Sequence, residues 1–302
     1  MRRRAKIILL AVGILVVVLV ATVVTVIVRH GTTAAGPECR VPPDGGTAAV
    51  GLDAVQLQHA ATISAVGISR GLPQRARTIA IATALQESGL RNLDHGDRDS
   101  LGLFQQRHSQ GWGTTVQIMD PVYASGRFYN ALVKVPNWQT KTLTQAAQAV
   151  QFSGFPDAYA KWETEATALA VALGGTVPPA LHCRAGAVAS TADAPIRVAP
   201  AGTGKASAGL RILLAAANAE LGGIRVAQID AGGREATVSI VLHGITSTVA
   251  GRALAAWSVA HATGFGILEV RVDDRSYAGH AWSGLPIGTG PLPAGTIAVM
   301  VG

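Results

Sequence analysis

Residues Arg75–Leu90 read RARTIAIATALQESGL, and this stretch decides the fold expected around it. Ala, Ile, Leu and Thr fill it, Pro73 stands just ahead, and Gly89 follows Ser88. Proline at a helix start and glycine just past its end are the normal punctuation of an α-helix. The stretch therefore reads as a helix ending at Ser88, with Glu87 in its last turn. The partial negative charge of a helix C-terminus and apolar surroundings both disfavour a carboxylate anion. A carboxylic acid kept neutral in this way suits a general acid that protonates a leaving oxygen.

Outward from this helix the pattern stays helical over residues 51–175. Asp53 can cap a helix running to about Ser69, with Val55, Ala60, Ile63 and Val66 on one face. Further helices are expected over Pro121–Val135, Leu143–Phe152 and Asp157–Leu173. Between the first two helices and the rest lie a polar loop, DHGDRDS (residues 94–100), and the segment Gly102-Leu103-Phe104-Gln105-Gln106. Gly102 lets a second backbone segment approach closely. Gln105, with Gln106 beside it, offers amide donors and acceptors to sugar hydroxyls or N-acetyl groups. Asp94, Asp97 and Asp99 suit a solvated, turn-forming loop. Their spacing around Gly96, without a closing Glu, does not fit a calcium loop.

The pair formed by Glu87-Ser88 and, fifteen residues on, Gly102-Leu103-Phe104-Gln105 resembles the paired signature of lysozyme-like lytic transglycosylases. Gly111-Trp112-Gly113 adds a likeness to related actinobacterial cell-wall proteins. The resemblance implies an all-α lysozyme-like domain over 51–175 that acts on peptidoglycan without a cofactor or metal. It implies Glu87 as the catalytic acid and base at the MurNAc–GlcNAc linkage, with Ser88, Gln105, Gln106 and Trp112 lining the substrate site and His108 close by. Phe104 stands where the family has Met. The family's Ala-Tyr-Asn segment, whose tyrosine helps hold the catalytic Glu, is absent from LTQAAQAVQFSGF (residues 143–155), and Tyr159 is the candidate to take its place. Hydrolysis would call for a second carboxylate, which Asp94, Asp97 or Asp99 could supply. The alternative is an inactive relative that only binds glycan or an envelope partner.

The N-terminus points to a membrane. Residues 1–6, MRRRAK, carry four positive charges, and Ile7–Val28 follow with no charge at all. As a helix these 22 residues span about 33 Å, enough for a hydrocarbon core of about 30 Å. The arginines ahead of the span place residues 1–6 in the cytoplasm, giving a single-pass protein of the cell membrane with its bulk outside. A cleaved signal peptide is the competing reading, although its apolar region is normally shorter. The formal net charge of +7 comes from 25 Lys and Arg against 18 Asp and Glu, but five of those cations flank the span. The remainder is nearly balanced, which gives no support to nucleic-acid binding.

Residues 29–50 read as a Gly/Pro/Thr stalk and 176–207 as a Pro/Ala/Gly linker. Cys39 and Cys183 bracket the helical region, and on the oxidising side of a membrane they are expected to form a disulfide rather than remain free thiols. Two distant cysteines and scattered histidines suggest no metal site. Residues 208–302 alternate between helical and strand patterns and read as a small α+β accessory domain. The run over 250–282 resembles a C-terminal module of secreted actinobacterial wall proteins. It suggests wall or envelope-protein binding, with Asp273, Asp274, Arg275 and His280 as a turn cluster.

Overall fold

A computed structural model describes residues 39–42, 49–155, 157–183 and 203–302. Strands β1 (Cys39–Val41) and β2 (Val50–Leu52) come first and pair antiparallel. Asp53 then starts α1 (Ala54–Ser69) through a capping box. Its carboxylate accepts from Gln56 N at 2.9 Å while Gln56 Oε1 accepts from Asp53 N at 3.0 Å, pairing donors that an opening helical turn leaves free. Pro73 precedes α2 (Gln74–Ser88), and Gly89 closes it in the left-handed conformation at φ 61°. The hairpin β3 (Ser100–Leu101) and β4 (Gln106–Arg107) follows, then α3 (Thr115–Ile118), α4 (Pro121–Leu132), α5 (Leu143–Gln151), α6 (Glu163–Ala172) and β5 (His182–Cys183).

Helix α2 is the axis of this part, in contact with α1, α4, α5 and α6. Every residue from Ala76 to Leu85 is buried, as expected for a helix that is apolar on all faces. Even Arg77 lies inside, donating to the carbonyls of Leu72 and Ala170 at 3.3 and 3.5 Å. Strand β5 returns to β1 and completes a small sheet of order β2-β1-β5, in which Cys39 faces Cys183 and is disulfide-bonded to it.

The remaining chain forms α7 (Ala208–Glu220), β6 (Ile224–Ile229), β7 (Glu235–Ile240), α8 (Ser247–Ala260), α9 (Ala262–Phe265), β8 (Ile267–Val272), β9 (Arg275–Ala278), β10 (Ala281–Gly284) and β11 (Thr296–Val301). The strands make one antiparallel sheet of order β10-β9-β8-β11-β7-β6. Strand β7 alternates half-buried and buried residues, the period of a sheet with one covered face. Helix α8 lies between that sheet and α1, so it is buried without a break from Ala253 to Ala260. Tyr277 on β9 donates to the Cys183 carbonyl at 3.4 Å, and Arg275 donates to the Pro179 carbonyl at 2.9 Å.

This architecture corrects the expected one. The chain is not an all-α lysozyme-like domain followed by a small α+β module. Strands β1 to β5 stand within or at the edges of the region expected to be helical, and a six-stranded sheet packs through α8 onto α1. Strands of two or three residues are too short to show a period of two in sequence, so only their tertiary partners reveal them. The expected membrane span at 7–28 lies outside the described residues. Among the described residues no helix is long and apolar enough to cross a membrane.

His261, capping α8, gives this core a pH dependence. It is buried, its ring stacks on Trp257 at 4.2 Å, and its Nδ1 is 2.8 Å from the Trp257 carbonyl. Burial pulls its pKa down to about 4, partly offset by that carbonyl. The folded state therefore binds fewer protons than the unfolded state between about pH 6.5 and 4. Stability is complete above the unfolded value and falls as pH drops through this window, by about 3 kcal/mol in all and about 2 kcal/mol by pH 5. Urea unfolding at pH 7.5 and pH 5 measures this loss. In His261→Phe the slope should flatten by that amount.

Candidate active site

Glu87 lies where α2 leaves the core. Ala84 and Leu85 are buried, residues 86–89 are half-buried, and Leu90 turns inward again. The last carbonyls of a helix lack partners within it, and here they are met locally. Gly89 N donates to Leu85 O at 3.0 Å and Leu90 N to Ala84 O at 3.1 Å. Helix α1 braces the same corner: Gln56 Nε2 donates to Gly89 O at 3.0 Å, and His59 Nδ1 lies 2.7 Å from Leu90 O. Burial lowers the His59 pKa, so the neutral ring with its proton on Nδ1 suits this contact.

Tyr159 is fully buried and donates its phenol proton to Glu87 Oε1 at 2.6 Å. Burial first, and then the Glu87 carboxylate, push the phenol well above the ordinary tyrosine range, so it remains a donor throughout the neutral range. The neighbouring Ser153 hydroxyl acts in the opposite direction. Tyr159 leads into the short 3-10 turn Ala160–Trp162, and Trp162 Nε1 donates to Gln86 Oε1 at 3.0 Å. One turn thus grips two consecutive side chains at the end of α2. Glu87 Oε2 has no hydrogen-bond partner among the described residues.

The second expected segment is tied to the same helix end. Ser88 Oγ lies 3.0 Å from Ala84 O and 2.8 Å from Leu103 O, within reach of either with its single proton. Gly102 sits at φ +74°, where a Cβ would come within 2.8 Å of Ile118 O, so the position requires glycine. Gln151 Nε2, at the end of α5, donates to Phe104 O at 2.8 Å, and Phe104 stacks on Phe128 at 4.7 Å.

The other expected site residues are spread more widely. Gln105 is half-buried at φ 49°, with its amide nitrogen 3.3 Å from both His95 O and Gly102 O. It holds the 94–100 loop and makes no hydrogen bond to Glu87. Gln106 is only 2 % exposed and donates to Ala124 O at 3.0 Å, which places its side chain in the interior. Trp112 is half-buried against the core, and its carbonyl accepts from Tyr123 Oη and Arg127 Nε, both at 3.2 Å. His108 is exposed, with Nδ1 2.8 Å from Gly113 O.

Among the loop acids, Asp99 accepts from Ser109 N at 2.8 Å and Arg107 Nε at 2.6 Å. These contacts hold its carboxyl well below the usual range, the Ser109 amide most of all. It is a brace for the β3–β4 hairpin. Asp94 pairs with His95 at 2.7 Å, and Asp97 is exposed. In the sheet region, Asp273 pairs with Arg252 at 2.6 Å, while Asp274 and His280 are exposed. Among the described residues no group of three His, Cys, Asp or Glu converges as metal ligands would. An apolar cleft of about 190 Å³, lined by Val41, Ala168, Val171, Val177, Pro178 and Ala180, offers no side-chain donor or acceptor.

No protein-family model matches the chain, and no curated protein does.

Three side chains that brace the end of α2 and the segment beside it carried no sequence signal: Gln56, His59 and Gln151. Each acts through a contact 31 to 47 residues away in the chain, and a lone Gln or His has no pattern to announce it. The joint between Tyr159 and Glu87 spans 72 residues.

Proposed function

We propose that this protein cleaves peptidoglycan glycan strands at the MurNAc–GlcNAc linkage, as a membrane-anchored lytic transglycosylase of the cell wall, with Glu87 as general acid and then base. The observation that carries this reading is the buried Tyr159 phenol on Glu87 Oε1 at 2.6 Å. It supplies the tyrosine contact that the missing Ala-Tyr-Asn segment would otherwise make. A single donor on Oε1 fixes the carboxyl orientation and leaves Oε2 available to a substrate.

In the proposed reaction the Glu87 carboxylic acid gives its proton to the glycosidic oxygen. The C1–O bond breaks, and the GlcNAc hydroxyl departs neutral. The substrate's own N-acetyl oxygen stabilises the cation that develops at C1. The Glu87 carboxylate then takes the proton of the 6-hydroxyl, whose oxygen bonds to C1. A 1,6-anhydro ring closes, Glu87 is protonated again, and no water is consumed. Residues 7–28 as the anchor limit the reaction to glycan near the bilayer, and the sheet region serves attachment to the wall or to an envelope partner.

Incubating the detergent-solubilised full chain with purified sacculi and weighing the products tests this reading. Anhydro-muropeptides support it, reducing-end muropeptides indicate hydrolysis instead, and an intact sacculus rejects cleavage altogether. Tyr159→Phe keeps the ring and removes only the orienting donor. It should lower kcat about 10- to 100-fold with KM little changed, read from initial rates on soluble glycan. A loss confined to KM would remove Tyr159 from this role.

A further inference from the structure

The turn after α5 carries two aromatic side chains that the fold leaves in solvent. Phe152 is 84 % exposed and Phe155 is 77 % exposed. Phe152 is also the cap of α5 at φ 52°, a left-handed conformation unfavourable for a bulky residue. The turn is nevertheless well tied. Phe152 N donates to Gln148 O at 2.9 Å, Gln148 Nε2 donates to Ser153 O at 2.7 Å, and Phe155 N donates to Ser153 Oγ at 3.1 Å. An ordered turn that holds a backbone outlier and exposes two large rings has the marks of a ligand-binding element.

Its connections indicate which ligand. Tyr159, which donates its phenol proton to Glu87, stands only four residues beyond Phe155 in the chain. The residue before Phe152, Gln151, donates to Phe104 O in the segment that Ser88 ties to the end of α2. The turn that presents the rings is therefore tied to the segment held at the end of α2, and the chain beyond it leads to Tyr159. No Lys or Arg lies between Lys141 and Lys161, whereas elements that lie on anionic lipid normally carry them. Flat apolar rings beside backbone and hydroxyl groups match a pyranose, with its apolar C–H face and its polar rim.

We propose that Phe152 and Phe155 form a stacking platform for sugar rings of the glycan strand next to the bond that Glu87 cleaves. The choice of ligand rests on the glycan-cleaving reading of Glu87.

The test uses the full chain in detergent, carrying Glu87→Gln so that bound strands survive, with peptide-free glycan strands as the probe. Adding Phe152→Ala and Phe155→Ala should weaken binding at least about tenfold. The pair Phe152→Leu and Phe155→Leu, apolar but not flat, should weaken it as well, while the two Phe→Tyr changes should preserve it. Both rings are exposed, so melting temperatures should match; if the double variant does not fold, Phe155→Ala alone decides. Unchanged glycan affinity in the alanine pair overturns the platform. So does full affinity in the leucine pair, or a loss of binding to phosphatidylglycerol vesicles with glycan binding intact. The cleavage reading fails separately: a chain that cuts no sacculi yet binds strands through these rings keeps the platform and loses the enzyme. A chain that cuts with the same KM after the alanine changes does the reverse.

Discussion

Glu87→Gln should abolish release of anhydro-muropeptides by the full chain, a loss of at least about 10³-fold, while leaving the fold and sacculus binding intact. The magnitude follows from the role: one group serves as acid and then as base, and each contribution is typically 10²- to 10⁴-fold. The fold should survive because the substitution is isosteric. Gln Oε1 still accepts from the Tyr159 phenol, so the buried hydroxyl keeps a partner. Only the transferable proton is gone. The measurement is product mass after overnight incubation, with melting temperature and co-sedimentation on the same samples. Undiminished release by Glu87→Gln would end the proposed mechanism. Loss of release together with a collapse of melting temperature would assign Glu87 to structure.

Reducing the Cys39–Cys183 disulfide, or replacing both cysteines with Ser, should lower stability by about 5 kcal/mol. The bond closes a loop with a sequence separation of 144 residues, and the entropy of closing such a loop in the unfolded chain reaches this size. For a folded body of this length the expected fall in melting temperature is roughly 10 °C. The bond also joins β1 to β5 in a sheet where they share only two residue pairs, too few to hold register unaided. The Tyr277 contact at the Cys183 carbonyl then links the sheet region to the same corner. Calorimetry with and without dithiothreitol measures the effect. Equal melting temperatures would show that β5 stays docked by packing alone.

Local signals in the chain were enough for its helices of nine residues or more and for the place of Glu87 at one helix end. Pro73, the apolar run to Leu85, and Gly89 are read in the sequence because helix punctuation acts over a single turn. The same holds for Asp53 at the head of α1. Strands Ile224–Ile229 and Ile267–Val272 are legible because each six-residue stretch carries three β-branched residues. The expectation failed where an element is too short to have a period. Strands β1, β2 and β5 have two or three residues each, and they exist because Cys39, Leu52 and Cys183 meet across the fold. For the same reason composition alone read their neighbourhoods as stalk and linker.

The candidate site divides along the same line. Glu87 in the last turn of a helix, with Ser88 and Gly89 behind it, is determined by sequence, since all three follow from local backbone geometry. The environment of that carboxyl was a tertiary matter. Tyr159 reaches it from 72 residues away, Gln106 turns inward to Ala124, and Gln105 is committed to its own loop. A side chain's residue type is written in the chain, but its partner is chosen by which helices pack together. Here the enclosure of α2 by α1, α4, α5 and α6 left only its final turn half-exposed, with Glu87 against a phenol from the turn that precedes α6.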